Sequence, residues 1–240
     1  MDCMAIVLSV NIGAARETAH SDVGVTGIDK RPVAGPVFVR PPEVGSALEG
    51  DVICDHRFHG GADKAVYAYA REDLDLWSAA LGRELTDGVF GENLTTRHLD
   101  VSHALIGETW RVGPSALLRI TEPRVPCRTF AGWLGEQGWV KRFTGAASPG
   151  AYMAVLEAGP VRAGDRIEVV ERPDHGVSVR VAFKAMTTES GLLSRLLEVD
   201  NLREYALRRL RSPEPDDADK EDPGAGAADE AGEDDAGAAA

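Results

Sequence analysis

The chain has 240 residues, 43% of them hydrophobic, and a formal net charge of -13. That is enough apolar material for one sizeable core, or for a core with a small appendage. No window reaches the roughly 18 consecutive apolar residues that a membrane span needs. The charge sits at one end: residues 212–240 hold 11 Asp or Glu and one Lys, a net of -10, leaving -3 on residues 1–211. Nothing marks a basic footprint for nucleic acid.

The start, MDCMAIVLSVNIG, carries Asp2 and no Lys or Arg ahead of its apolar run. That fits a first strand rather than a secretory signal, and the expected location is the cytoplasm. Over residues 1–173, runs rich in Val, Ile, Leu and Tyr follow: GPVFVR, DVICDHRF, AVYAYA, TWRVG, ALLRITEPR, AYMAVLEAG and DRIEVVER. Gly, Pro and Asp punctuate them. Many short strands with such turns predict a mainly β domain, a barrel or a sandwich. Two helical insertions interrupt the pattern. In REDLDLWSAALGREL, Leu74, Trp77 and Leu81 recur at helical spacing behind acidic residues. FAGWLGEQGWVKRF carries a weaker signal of the same kind. His98 follows Arg97 where a tight turn would favour glycine.

Residues 174–211 differ in character. SVRVAFKAM, SGLLSRLLEV and NLREYALRRL read as short helices, each opened by Ser or Asn as a cap. Leu192, Leu193, Leu196, Leu197, Leu202 and Tyr205 are the expected packing residues. A helical unit of this size cannot bury a core of its own. It is expected to dock on the β domain or on a second subunit, which would make a homodimer. Residues 212–240 contain no aromatic and no large aliphatic residue. They read as a disordered acidic tail that keeps the protein soluble or binds a basic partner.

The cysteines are Cys3, Cys54 and Cys127. Their number and spacing give neither a disulfide framework nor a zinc pattern, so reduced thiols are expected. Cys54, in the apolar run DVIC, reads as a small buried hydrophobe.

Three segments do not read as packing. In RFHGGADKAVYAYAREDLDLW, Gly60 and Gly61 allow left-handed backbone, with His59, Asp63 and Lys64 around them. A glycine turn with free N–H groups and a lysine suits an anion, and a tight turn with solvated charges fits equally well. In GVFGENLTTRHLDVS, Glu92 and Asn93 form a polar turn, and Asn93 has the donors and acceptor to read an amide-bearing ring, while a plain Asn/Gly turn fits equally well. In TEPRVPCRTF, Pro123 and Pro126 stiffen a segment that places Cys127 between Arg124 and Arg128. Two nearby guanidinium groups would favour the thiolate, as a nucleophile or as a soft metal ligand; the alternative is an exposed, inert loop cysteine.

Taken together, HGGADKAVYAYAREDLDLW, FGENLTT and EPRVPC, in this order and spacing, resemble the MOSC domain family, specifically its stand-alone bacterial YiiM-like branch. TGIDKRPV, ALEGD and GAYMAVLEAGPVRAGDRIEVV extend the similarity over about residues 4–211. The resemblance implies a MOSC-type β-barrel with helical insertions, followed by the C-terminal helices. It implies a bound molybdenum cofactor (molybdopterin), with Cys127 as the protein's ligand to the metal. YiiM-like members are associated with reduction of N-hydroxylated compounds such as hydroxylaminopurine base analogues. On that reading Arg124 holds the cofactor phosphate or the oxo group. Gly60, Gly61, Asp63 and Lys64 surround a phosphate or other anion. His59 donates a proton, and Glu92 or Asn93 reads the pterin edge. Pyridoxal phosphate is not expected. No flavin or iron–sulfur pattern is present, so electrons are expected from a separate reductase. The alternatives are a non-redox carrier of the cofactor or of sulfur, and an interaction protein that works through its tail.

Overall fold

The structure, a computed structural model, describes residues 4–212. Cys3 and the expected tail from residue 213 onward lie outside the described residues. The chain runs β1 (Ile6–Gly13), β2 (Arg16–Glu17), β3 (Val25–Thr26), β4 (Lys30–Pro32), β5 (Val37–Val39) and β6 (Val66–Ala70). Next come α1 (Arg71–Leu81), β7 (Leu94–Arg97), β8 (Thr109–Val112), β9 (Ala116–Pro123), α2 (Arg128–Leu134) and α3 (Trp139–Ala146). The order closes with β10 (Ala151–Glu157), β11 (Gly159–Val161), β12 (Ile167–Glu171), α4 (Val179–Thr187) and α5 (Asp200–Arg211).

Eight strands form one mixed sheet in the order β12-β8-β9-β10-β6-β7-β1-β4. β6 and β7 pair in parallel, as a strand–helix–strand crossover through α1 requires. The other named ladders are antiparallel. The expected closed barrel is not found. β1 meets the chain ahead of β12 through an isolated bridge, Ile6 to Arg166, and through Val7 N–H to Asp165 O and Ile167 N–H to Ala5 O, both 2.9 Å. These bonds draw the two ends of the sheet together. They do not extend into a ladder, because a turn closed by Asp165 N–H to Arg162 O at 3.2 Å occupies the next residues.

Alternation along β6 sorts two cores. Val66, Ala68 and Ala70 enter the large aliphatic cluster, while Tyr67 and Tyr69 enter a second cluster with Phe90, Phe130, Trp139 and Phe143. The second cluster lies under α1, α2 and α3, which supply Leu74, Trp77, Phe130, Leu134, Trp139 and Phe143.

The expected strands form, with one exception. DVICDHRF is not a strand, because Asp51 turns in to accept hydrogen bonds and the rest of the segment follows as bends and turns. The short strands β2, β3, β4, β7 and β11 carry too little pattern to be read from sequence. FAGWLGEQGWVKRF splits into α2 and α3 where Gly135 and Gly138 both take positive φ, 71° and 64°. His98 does adopt the left-handed turn, with φ 60°, its N–H held by Glu72 Oε1 at 2.8 Å.

The C-terminal helices share the large cluster with the sheet through Val179, Ala182, Leu196, Leu202 and Ala206. Of the expected caps only Ser178 acts, accepting from Val181 N–H at 3.2 Å. Ser190–Glu198 is 3-10 rather than α. Asn201 does not cap α5; its Nδ2 donates to Thr121 O at 2.6 Å and ties α5 to β9. No helix among the described residues is long and apolar enough to cross a membrane.

Replacing Asn201 by Ala removes that tie. The expected loss is about 1 kcal/mol of stability, a downward shift of a few degrees in Tm by thermal denaturation.

Candidate functional site

Three segments converge beside the aromatic cluster: the loop that enters β6, the turn that enters β7, and the segment that leaves β9. Pro123 ends β9, and Pro126 precedes Cys127, which takes extended backbone (φ -129°, ψ 170°) as the first cap of α2. The Cys127 carbonyl accepts from Ala131 N–H at 3.0 Å, and its half-buried side chain packs on the aromatic cluster.

Arg124 lies beneath this segment, 5% exposed. Its guanidinium stacks 4.2 Å from the Phe130 ring centroid and 4.9 Å from that of Tyr67. One Nη donates to Phe90 O, and Nε is buried without a partner. No carboxylate stands within ion-pair distance among the described residues, although Arg128, Arg71 and Lys64 each have one. Arg128, the other arginine beside Cys127, is turned to Asp22. Arg124 is therefore the cation left facing Cys127. Burial pushes the Tyr152 hydroxyl up to about 12, against the pull of Arg124 and with the Cys127 thiol adding to the rise.

His59 lies in the same field. Burial, then the positive charges of Arg124 and Lys64, push its imidazole down to about 4. At neutral pH it is uncharged, which departs from the expected ready proton donor. Lys64 Nζ donates to Phe58 O at 3.2 Å and sits 3.7 Å from the Glu122 carboxylate. Gly60 and Gly61 both have positive φ, 75° and 82°. A Cβ on Gly60 would lie 2.6 Å from Gly45 O, and Gly61 N–H donates to that same oxygen at 3.0 Å. The pair thus packs one loop on another, and the Gly61 amide is already used. Asp63 is exposed; its carbonyl accepts from Thr121 Oγ1 at 2.5 Å.

Glu92 and Asn93 face inward. The buried Glu92 carboxylate accepts from Gly88 N–H at 2.6 Å, Phe90 N–H at 3.0 Å and Thr95 Oγ1 at 2.9 Å. Desolvation nonetheless pushes it up to about 7. Asn93 Oδ1 accepts from Tyr67 N–H at 3.1 Å, and its Nδ2 donates to Asp51 at 2.9 Å. These bonds make both residues holders of the turn, with the protein already satisfying their polar atoms.

Two residues absent from the expected set complete the neighbourhood. Lys30 and Asp51 form a buried ion pair, and burial lowers the Lys30 amine against the pull of Asp51. Lys30 also acts electrostatically on His59 and on Cys54, whose thiol burial pushes up. Both lie in TGIDKRPV and ALEGD, but 21 residues separate them and only the fold shows that they touch. An open cleft of about 830 Å³ lies elsewhere, lined by Arg71, Asp75, Arg83, Asp87 and Arg97 among others, and includes none of the expected site residues.

His59 should titrate near pH 4 in the ligand-free protein, followed by its imidazole NMR signals. Its folded value is depressed, so the unfolded chain takes up the proton first; this group's contribution to stability is lost as pH falls from about 6.5 toward 4. Arg124→Gln should move the titration upward, because the largest of the three opposing charges, those of Arg124, Lys64 and Lys30, is gone.

A model of the MOSC domain matches residues 55–168. The chain is 34% identical to the uncharacterized protein YflK of Bacillus subtilis over 177 residues, which are 73% of this chain and 78% of YflK. It is 29% identical over 216 residues to a protein of Gibberella moniliformis named Reductase, covering 86% of this chain but only 38% of that longer protein. The crystal structure of YiiM from Geobacillus stearothermophilus matches with a TM-score of 0.70 and 27% identity, covering 86% of this chain and 99% of that one. The chain belongs to the MOSC domain family.

Proposed function

We propose that this protein is a molybdenum cofactor-dependent reductase of N-hydroxylated compounds, with Cys127 as the metal ligand and electrons supplied by a separate reductase. The observation that carries this reading is Arg124: a buried cation with no carboxylate partner among the described residues and an orphaned Nε, next to a thiol. A buried charge without a counter-charge is costly, so the site suits an anionic ligand that arrives with its own. The chemistry of the donor set fits a phosphate-bearing, sulfur-held metal cofactor. Arg124 and Lys64 would take the negative charge, and the Cys127 thiolate is a soft ligand.

The cofactor, when bound, would supply the two-electron chemistry. Removing the oxygen of an N–OH group consumes two electrons and two protons and releases water. The chain's own part is to bind, orient and handle protons. His59, neutral in the ligand-free site, would become easier to protonate once an anion offsets Arg124 and Lys64. It would then be a proton source gated by ligand binding. The Gibberella relative is named a reductase, which agrees with the class of reaction and says nothing of the substrate.

Expressed in a host that makes the cofactor, the protein should carry molybdenum by elemental analysis. Cys127→Ser should lose it, and Cys54→Ala should retain it. Arg124→Gln should weaken retention by about 10- to 100-fold, the range seen when partners around a metal ligand are removed. Molybdenum retained in Cys127→Ser would overturn the ligand assignment. Molybdenum bound without consumption of reductant in the presence of N-hydroxylaminopurine would favour a cofactor carrier instead.

A further inference from the structure

The short hairpin of β2 and β3 has no part in the proposed reaction, yet its tip is fastened to both sides of the Cys127 site. Asp22, in the loop between these strands, pairs with Arg128, the residue after Cys127. The same carboxylate lies 3.9 Å from Arg57, two residues ahead of His59. A single side chain thus reaches the segment that carries the thiol and the segment that carries the imidazole. The backbone is fastened independently. Thr129 Oγ1 donates to the His20 carbonyl at 2.8 Å, and the His20 ring lies so close over Gly132 of α2 that a Cβ there has no room.

We infer that this hairpin is a strap across the mouth of the Cys127 site, and that Asp22 sets how strongly the mouth attracts anions. The cations around the mouth are Arg57, Lys64, Arg124 and Arg128. Glu122 offsets Lys64 and Asp55 shares Arg57, while Arg124 has no acid partner among the described residues. Asp22 is the acid that neutralises Arg128 and reaches Arg57 as well. Its side chain is half exposed, as are both arginines, so its effect acts through solvent and is sensitive to salt. The strap would hold the positive field of the mouth below its full strength, admitting neutral molecules and anions on more equal terms.

The test uses the full chain without cofactor and reads Cys127 alone, by mass spectrometry of its peptide after alkylation with anionic iodoacetate or neutral iodoacetamide. Asp22→Asn should raise the iodoacetate-to-iodoacetamide rate ratio up to about threefold at low ionic strength, the order expected for the loss of one nearby charge acting through water. The gain should vanish near 1 M salt, where the screening length is about 3 Å. Asp22→Glu should restore the ratio of the parent protein. An unchanged ratio, or equal acceleration of both reagents, would overturn the inference. The inference rests on the proposed function only in taking Cys127 as the centre of the site. No molybdenum is read here, so failure of the metal assignment and failure of the strap are separately visible.

Discussion

The carboxylate of Asp51 holds the site's surroundings together. It accepts from Gly13 N–H at 2.8 Å, Ser46 Oγ at 2.6 Å, Asn93 Nδ2 at 2.9 Å and the Lys30 amine. Those partners come from the end of β1, the loop ahead of the glycine pair, the turn that enters β7 and the first residue of β4. Both charges of the ion pair are almost fully buried. Removing either would leave an uncompensated charge inside, which costs several kcal/mol. Four segments distant in sequence are therefore held by one group that cannot easily be given up.

From that hub the geometry of the site follows. Asn93 fixes the turn that Glu92 closes from within, and that turn presents the Phe90 carbonyl to Arg124. Ser46 steadies the loop whose Gly45 carbonyl receives Gly61 N–H. Arg124 then rests between Tyr67 and Phe130, on rings fixed by the sheet and by α2. The polar residues nearest the sheet are spent on positioning. Those farther out, Cys127, His59 and Lys64, keep atoms to offer. The division is one of supply: a buried donor or acceptor is satisfied by the protein first, and what remains unsatisfied is where a ligand gains most.

Strand content, α1 and the thiol-bearing segment were legible because they rest on local chemistry. Alternating Val, Tyr and Ala in AVYAYA make a strand in any context that buries one face. Pro123 and Pro126 stop a strand wherever they stand. The split of FAGWLGEQGWVKRF was less legible, since Gly135 and Gly138 become helix stops only when both adopt left-handed backbone. The roles of Glu92 and Asn93 stayed open in the sequence for a related reason. Their side chains suit either a ligand or their own turn, and only the positions of Gly88, Tyr67 and Asp51 decide between the two.

By itself the sequence determined the family, the strand-rich class and the three segments that meet, because motif order, hydrophobic period and proline placement are properties of the chain. The tertiary structure alone decided that the sheet does not close by a ladder, that Lys30 and Asp51 pair, and that Asp22 reaches both Arg128 and Arg57. It also decided which arginine beside Cys127 lacks an acid partner among the described residues. The physical reason is common to all of these. Charge pairing, burial and strand closure depend on residues far apart in sequence, and no local pattern records who their neighbours are.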